Sequence, residues 1–342
     1  MRILVTGGAG FIGSNVALEL QRRQPKADIV VLDSFSEGTF ANLVDFRGDV
    51  VCADLTEPSW TMSIGDAPFD QIYHLAAISD QRVTDQAKMM RANVEGFRAL
   101  LDFAQPTQTP VVYASSASTY GLRAGVMREG DAPSPATVYA FSKMVMDNLA
   151  RIRTEELKEW RLIGMRYFNV YGPREGHKGV PASMIYHLSK QMMESQRPRI
   201  FEFGEQKRDF VYIDDAVNAT ILAMEKAPAT GIYNAGTGVP RSFNDMVRIL
   251  NTVLDTALPA EYIPCAFKAS YQSHTEADLT RSRKDLGYRP QFTLEKGIAE
   301  YMRFLYPDRL RDVSQRVAKA KKRETRKLVA KPPAKTKKKR SR

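Results

Sequence analysis

At 342 residues, 43% hydrophobic and 26% charged, the chain is long enough for about two domains of about 150 residues each and too apolar for a disordered scaffold. Its two cysteines, Cys52 and Cys265, stand far apart and exclude both a disulfide framework and a metal site at cysteine spacing. No apolar run approaches the roughly 18 to 20 residues of a membrane span, so a reducing, cytoplasmic setting is expected. The formal charge of +11 is concentrated at the end: residues 316–342 hold fourteen Lys and Arg against Glu324, which leaves −2 on residues 1–315. A run such as Lys337, Lys338, Lys339, Arg340 behind Pro332 and Pro333 has nothing apolar to bury. It is expected to be a solvated, disordered tail, able to contact acidic surfaces or nucleic acid in a salt-sensitive way, without aromatic residues for base stacking.

In chain order, Ile3-Leu4-Val5 reads as a strand, Gly7 to Gly13 as a turn, the stretch through Leu18 and Leu20 as a helix, and Ile29 to Leu32 as a second strand. Val50 to Cys52 follows as a third. Further buried strands are expected at Gln71–Leu75, Pro110–Ala114, Arg161–Tyr167 and Asp209–Ile213, with helices at Ala87–Phe103 and Val138–Arg151. Strands alternating with helices imply a Rossmann-type, doubly wound parallel sheet covered on both faces. After Asn169 the pattern loosens into a loop, Tyr171 to Lys178, and residues Arg241 to Phe304 mix short helices with loops. The expected division is a dinucleotide-binding domain at 1–168 with 209–238 returning to it, a smaller mixed α/β substrate lobe at 169–208 and 239–306, and the basic tail at 307–342. No internal repeat of 20 to 50 residues is visible.

Gly7, Gly10 and Gly13 have the spacing G-x-x-G-x-x-G directly after a strand and at the mouth of a helix. Glycines there let the backbone approach a pyrophosphate, whose charge meets free N–H groups and the positive end of the helix dipole. Asp33 closes the second strand, where a carboxylate would accept hydrogen bonds from an adenosine ribose. The loop after it, Ser34 to Phe40, supplies no Lys or Arg to balance a 2′-phosphate, so NAD is favoured and NADP is the alternative. Asp54 reads equally as an adenine contact or as a turn or helix-capping aspartate. Tyr139 and Lys143 stand four apart on one face of the expected helix, with Ser115 and Ser116 ending a strand nearby in the sheet. A lysine ammonium beside a phenol should lower its pKa from about 10 toward the working range, so that Tyr139 can take a hydroxyl proton while hydride leaves for a nicotinamide.

With these motifs the sequence resembles the extended short-chain dehydrogenase/reductase family, whose members join a dinucleotide turn to a Ser, Tyr-x-x-x-Lys set and act mostly on nucleotide sugars. The resemblance covers residues 1 to about 305. It implies cofactor contacts from Gly7, Gly10, Phe11, Ile12, Gly13, Asp33, Ser34, Asp54, Lys143 and Val170, from Leu75, Ala76, Ala77 and Ser79 in the loop after His74, and from Asn93. The bland alternatives are a packed strand end for His74 and a helix-surface amide for Asn93.

Longer strings resemble one branch of that family, which epimerises an ADP-linked heptose at C6″. These are Arg166 to Gly179, Lys207-Arg208-Asp209-Phe210-Val211-Tyr212, and Tyr271-Gln272 with Thr275 to Thr280. By that resemblance Tyr139 and Lys178 are opposed acid/base groups, Ser116 hydrogen-bonds the reacting oxygen, and Lys143 holds the cofactor ribose. Asn169, Lys178, His187, Phe201, Glu202, Arg208 and Tyr271 would surround the nucleotide sugar, and a homo-oligomer is implied. Two departures are visible: the lysine that some members carry near Glu37-Gly38-Thr39 is missing, and Val180 stands where some relatives have a small polar residue. A UDP-hexose 4-epimerase is the main enzymatic alternative. A 4,6-dehydratase is disfavoured because Ala117-Ser118, and not an Asp-Glu pair, follows Ser116. A non-enzymatic alternative is an NAD-sensing protein that binds nucleic acid through its tail. Deleting residues 316–342 is expected to leave epimerisation intact; a large loss of turnover would place the tail in the active assembly.

Overall fold

The computed structural model describes residues 1–265 and 271–311; the basic run from 312 onward lies outside the described residues. The chain builds its main sheet from short, nearly continuous apolar runs, as strands buried on both faces require. In order the elements are β1 (Arg2–Thr6), α1 (Phe11–Arg23), β2 (Asp28–Asp33), β3 (Asp49–Cys52), β4 (Gln71–His74), α2 (Gln86–Met90), α3 (Gly96–Ala104), β5 (Val111–Ser116), α4 (Val138–Glu156) and β6 (Leu162–Tyr167). The second half adds β7 (Asn169–Tyr171), α5 (Met184–Met193), β8 (Arg199–Phe201), β9 (Lys207–Tyr212), α6 (Ile213–Lys226), β10 (Gly231–Ala235), β11 (Pro240–Ser242), α7 (Phe243–Leu254), β12 (Glu261–Ile263), α8 (Thr280–Leu286) and α9 (Leu294–Leu305).

Seven strands form one sheet in the order β10-β6-β5-β4-β1-β2-β3, and every pair in it is parallel. Ile3, Leu4, Val5, Ile72, Val111 and Val112 at its centre are wholly buried. The helices on its two faces give two apolar clusters, one around α1 and α6, the other around Phe97, Leu100, Leu101 and Trp160. This is the doubly wound architecture, in which the strand order reverses beside β1 and leaves a crevice at the carboxyl ends of the strands.

The expected strand at Asp209–Ile213 forms as β9, but it is not part of this sheet. It pairs in parallel with β7 and antiparallel with β11 in a separate three-stranded sheet, because the chain leaves β6 and enters β7 after the single residue Phe168. β8 and β12 make a further parallel pair. The expected helix Ala87–Phe103 is continuous from α2 to α3 but carries a π-helical turn at Arg91–Glu95, which rotates Asn93 into the interior. Helix starts are set by side-chain caps where the sequence supplies them: Thr137 on α4, Ser183 on α5, Thr293 on α9, and on α7 a reciprocal box between Ser242 and Asp245. Among the described residues no helix is long and apolar enough to cross a membrane.

Asp209, wholly buried on β9, fastens the smaller sheet to the main one. Its carboxylate accepts from the Thr237 N–H (2.7 Å) and O–H (2.6 Å), the Gly238 N–H (2.8 Å) and the Ala277 N–H (3.0 Å). Four donors converge on one anion, and an amide in its place would set N–H against N–H. Asp209→Asn is expected to destabilise the fold by about 3 kcal/mol, the cost of breaking a buried charged cluster, as read from the urea unfolding midpoint.

Candidate active site

A cleft of about 1040 Å3 opens at the carboxyl ends of the parallel strands, at the upper end of the range for ligand pockets. Its floor is the turn between β1 and α1. Gly7 takes a φ of +67° and donates its N–H to the Leu32 carbonyl at 2.8 Å. A methyl group on Gly7 would lie 2.4 Å from the Ala76 nitrogen, and one on Gly13 would lie 2.1 Å from the Gly7 carbonyl oxygen. The turn can close on the β4 loop only because Gly7 lacks a side chain, and α1 can pack against the turn only because Gly13 does. Gly10 is the N-cap of α1 and has no side chain to occupy the first-turn amides, so they stay available to an anion. Asp33 ends β2 with its carboxylate held by the Ala9 N–H (2.9 Å) and the Phe35 N–H (2.8 Å). Such a cradle, with an acid one strand away, fits a dinucleotide.

The cleft brings together Gly7, Gly10, Phe11, Ile12, Gly13, Asp33, Ser34, Asp54, Leu75, Ala76, Ala77 and Ser79 on one side, and Ser116, Tyr139, Lys143, Asn169, Val170 and Lys178 on the other. Asp54 faces the cleft and also caps its own turn, accepting from the Thr56 N–H and O–H, both at 2.9 Å. His74 is a packed strand end, hydrogen-bonded to Thr6 at 2.8 Å and stacked on Phe97. Asn93 lies outside the cleft lining: fully buried, it accepts from the Ile78 N–H (2.8 Å), donates to the Ile78 carbonyl (3.1 Å) and to Ser142 (2.9 Å), and so supports the 75–79 loop from behind.

Ser116 ends β5 and accepts from the Ser118 O–H at 2.9 Å, while Ser115 spends its hydroxyl on Asp147 at 3.1 Å. Tyr139 and Lys143 come up from α4. The Lys143 ammonium donates to the Ala114 carbonyl at 2.8 Å and lies 5.8 Å from the Tyr139 ring centre. The expectation that Lys143 lowers the Tyr139 pKa is corrected here. Burial holds the Tyr139 phenol above its ordinary value, opposed only by its hydrogen bond with Ser116. Burial also lowers Lys143 itself to about 7, with the charge of Asp147 acting against that fall. Desolvation within the cleft outweighs the neighbourhood of the two groups. Asp147 is in turn anchored by Arg166 at 3.0 Å and Tyr113 at 3.1 Å.

Lys178 sits on a single 3-10 turn, Gly176–Lys178, and reaches across to α1, its ammonium 5.6 Å from the Phe11 ring centre. Burial lowers its pKa, and the carboxylates of Glu175, Glu37 and Asp80 oppose that. Arg208 is buried beside the cleft, 4.8 Å from the Tyr271 ring and 5.9 Å from Phe243, a residue of the cleft wall. Phe201 meets Tyr271 edge-on at 5.7 Å, and Glu202, at a φ of +52°, donates its N–H to the Ile263 carbonyl. His187 is hydrogen-bonded to the Val180 carbonyl at 3.1 Å. None of Arg208, Tyr271, Phe201, Glu202 and His187 lines the cleft itself. Phe210, also in the cleft, belongs to a string singled out in the sequence without a role of its own, while cleft residues without a sequence signal include Phe243, Lys88 and Arg91. The last two bring cations from the α2 region to a site whose own loop has none, a reach that only the folded chain defines.

Comparison with known proteins agrees with this geometry. The model of the NAD dependent epimerase/dehydratase family matches residues 3–236. An ADP-L-glycero-D-manno-heptose-6-epimerase of Alkalilimnicola ehrlichii is 39% identical over 319 residues, covering 88% of this chain and 96% of the relative. The crystal structure of the Helicobacter pylori enzyme of that name superposes with a TM-score of 0.83 at 40% identity, covering 89% of this chain and 96% of that one. A UDP-glucose 4-epimerase of Thermotoga maritima, solved with UDP-glucose, superposes with a TM-score of 0.81 at 26% identity, covering 89% and 98%. The glycine cradle, the acid after β2 and the Ser-Tyr-Lys set thus lie in a chain that belongs to the NAD-dependent epimerase/dehydratase family.

Proposed function

We propose that this nucleotide-sugar epimerase interconverts ADP-D-glycero-D-manno-heptose and ADP-L-glycero-D-manno-heptose by inverting C6″. The observation that carries the reading is the presence of two proton-handling groups, Tyr139 and Lys178, in one cleft but on separate elements, α4 and the turn before α5. Inversion by oxidation and re-reduction presents the C6″ oxygen in two arrangements, which one base cannot serve equally. In one direction Tyr139 takes the hydroxyl proton and Lys178 returns one; in the other they exchange roles. Bound NAD supplies the hydride acceptor that gives the hydride back within each turnover. In this reading residues 1–168 with the part of 209–238 that follows β9 hold the dinucleotide, through the glycine turn, Asp33, the Leu75–Ala77 loop and Lys143, while β9 itself lies in the smaller sheet. Residues 169–208 with 239–306 hold the nucleotide sugar.

Ser116 would steady the reacting oxygen. Arg208 suits the diphosphate: it is a buried guanidinium with no ion-pair partner among the described residues, flanked by Tyr271 and Phe243. Asn169 lines the same cleft, and His187, Phe201 and Glu202 would shape its sugar and nucleotide end from behind. Val180 offers no hydroxyl, so a hydrogen bond to substrate at that place is missing. Homologous function also implies a homo-oligomer.

Proton NMR of the protein with ADP-D-glycero-D-manno-heptose and catalytic NAD tests the assignment. Appearance of the L-glycero epimer without net NADH is expected; an unchanged heptose with turnover of UDP-glucose would replace the proposal by a UDP-hexose 4-epimerase. Tyr139→Phe and Lys178→Met are each expected to lower kcat by about 10²- to 10⁴-fold, while NAD binding followed by fluorescence stays near wild type. Near-normal turnover in the Lys178 variant would eliminate the two-group mechanism. Proton linkage gives a further outcome. Lys143 titrates at about 7 in the fold, below its ordinary 10.5, so above that pH the fold has released a proton the unfolded chain keeps. Hydroxyl oxygens of a bound ribose at the Lys143 nitrogen would favour the ammonium again. NAD binding at about pH 8 should therefore take up protons, seen as a buffer-dependent enthalpy in calorimetry.

A further inference from the structure

Glu175 is wholly buried at the start of the segment that carries Lys178. One carboxylate oxygen accepts from the Gly172 N–H at 3.2 Å and the Ser183 O–H at 2.8 Å; the other accepts from the Ser183 N–H at 2.6 Å. Gly172 directly follows β7 and Ser183 caps α5, so a single side chain closes the loop across its neck. Inside the loop, the Glu175 carbonyl also accepts the Lys178 N–H at 3.0 Å. All three of these side-chain contacts donate to Glu175. These donors and the Lys178 charge favour the ionised acid, while burial outweighs them and holds its pKa above the ordinary carboxylate value.

The charges around Lys178 come from several elements. Glu37 and Asp80 act on it from the loops across the cleft, and His177 is its chain neighbour. Glu37 is exposed, and Asp80 is engaged by Arg82 at 2.6 Å. Tyr301 and Tyr171 face Glu175 from α9 and β7, and burial keeps both phenols neutral. Glu175 is thus the one of the three carboxylates that is buried and fixed on Lys178's own loop.

We propose that Glu175 is a positioning residue, which ties Gly172 to Ser183, fixes the Lys178 turn over the cleft and supplies the buried counter-charge that keeps its ammonium available as an acid. The inference rests on the acid/base role proposed for Lys178. Glu175→Gln replaces one acceptor oxygen by an NH2 group that must face a donor, the Ser183 N–H in one orientation and the Gly172 N–H in the other, and removes the charge. In the holoenzyme it is expected to lower kcat by at least about tenfold with KM for the nucleotide sugar nearly unchanged. Loss of a negative neighbour disfavours the ammonium, so the Lys178 inflection in the kcat–pH profile should move down by about one unit. A readout independent of turnover is NMR titration of protein labelled at lysine ¹³Cε, with the Lys178 resonance assigned by its disappearance in Lys178→Met. The same downward shift is expected there. A lower melting temperature with the inflection unmoved in both readouts would overturn the proposal and leave Glu175 a structural residue only. If Lys178→Met turns over normally, it is the role of Lys178 that fails, and this inference with it. Should the Gln variant not fold, Glu175→Asp carries the test: it keeps the charge but withdraws the carboxylate from Gly172 and Ser183. It is expected to lose kcat with the inflection held, and wild-type kcat in it would overturn the proposal.

Discussion

The constraint on which the cleft depends is the meeting of three backbone segments with no side chain between them. The turn after β1, the first turn of α1 and the loop after β4 pack so tightly that a methyl group on Gly7 or Gly13 would fall 2.4 Å and 2.1 Å from backbone atoms. Neither neighbour can yield without moving a strand or a helix of the central sheet. This contact brings the amides of α1, the Asp33 carboxylate and the Leu75–Ala77 loop to one edge of the cleft, and every other part of the site is measured from that edge. Lys178 itself lies over Phe11, the first residue of α1.

Burial, more than pairing, sets the electrostatics that follow. Lys143 and Lys178 are both pulled below the ordinary lysine range by desolvation, and each has an enclosed carboxylate that resists the fall, Asp147 for the first and Glu175 for the second. Both carboxylates are held by donors and not left to solvent: Asp147 by Arg166, Ser115 and Tyr113, Glu175 by Gly172 and Ser183. The site therefore sets each lysine against an immobilised acid, with Lys143 fully buried and Lys178 half-buried at the cleft wall.

The features legible from the sequence were those with short-range causes. The glycine spacing, the apolar strands, Asp33 at a strand end and the four-residue step from Tyr139 to Lys143 are all written within one or two neighbouring elements. Departures arise where the cause is long-range. β9 reads as a strand of the parallel sheet, yet its partners β7 and β11 are chosen by the one-residue passage at Phe168, which no local pattern announces. Asn93 reads as a surface or cofactor-side amide; the π-helical turn rotates it inward, and its place under the 75–79 loop depends on Ser142, from α4. The cations Lys88 and Arg91 enter the cleft from the α2 region, and the sign of the Tyr139 shift is set by desolvation in the folded cleft.

The chain passes between the two sheets at three places. β6 passes into β7 through Phe168 alone, β9 continues without a break into α6, which packs on α1, and β10 leads to β11 through the short stretch 236–239, held by Asp209. Among the described residues these three crossings are short, with one residue at Phe168, none between β9 and α6 and four at 236–239. The two sheets are thus joined at short connections, and residues of the segments 79–82 and 173–183 line the cleft between them. Selectivity for a different sugar would then be altered by exchanging those segments, with the two sheets left as they are.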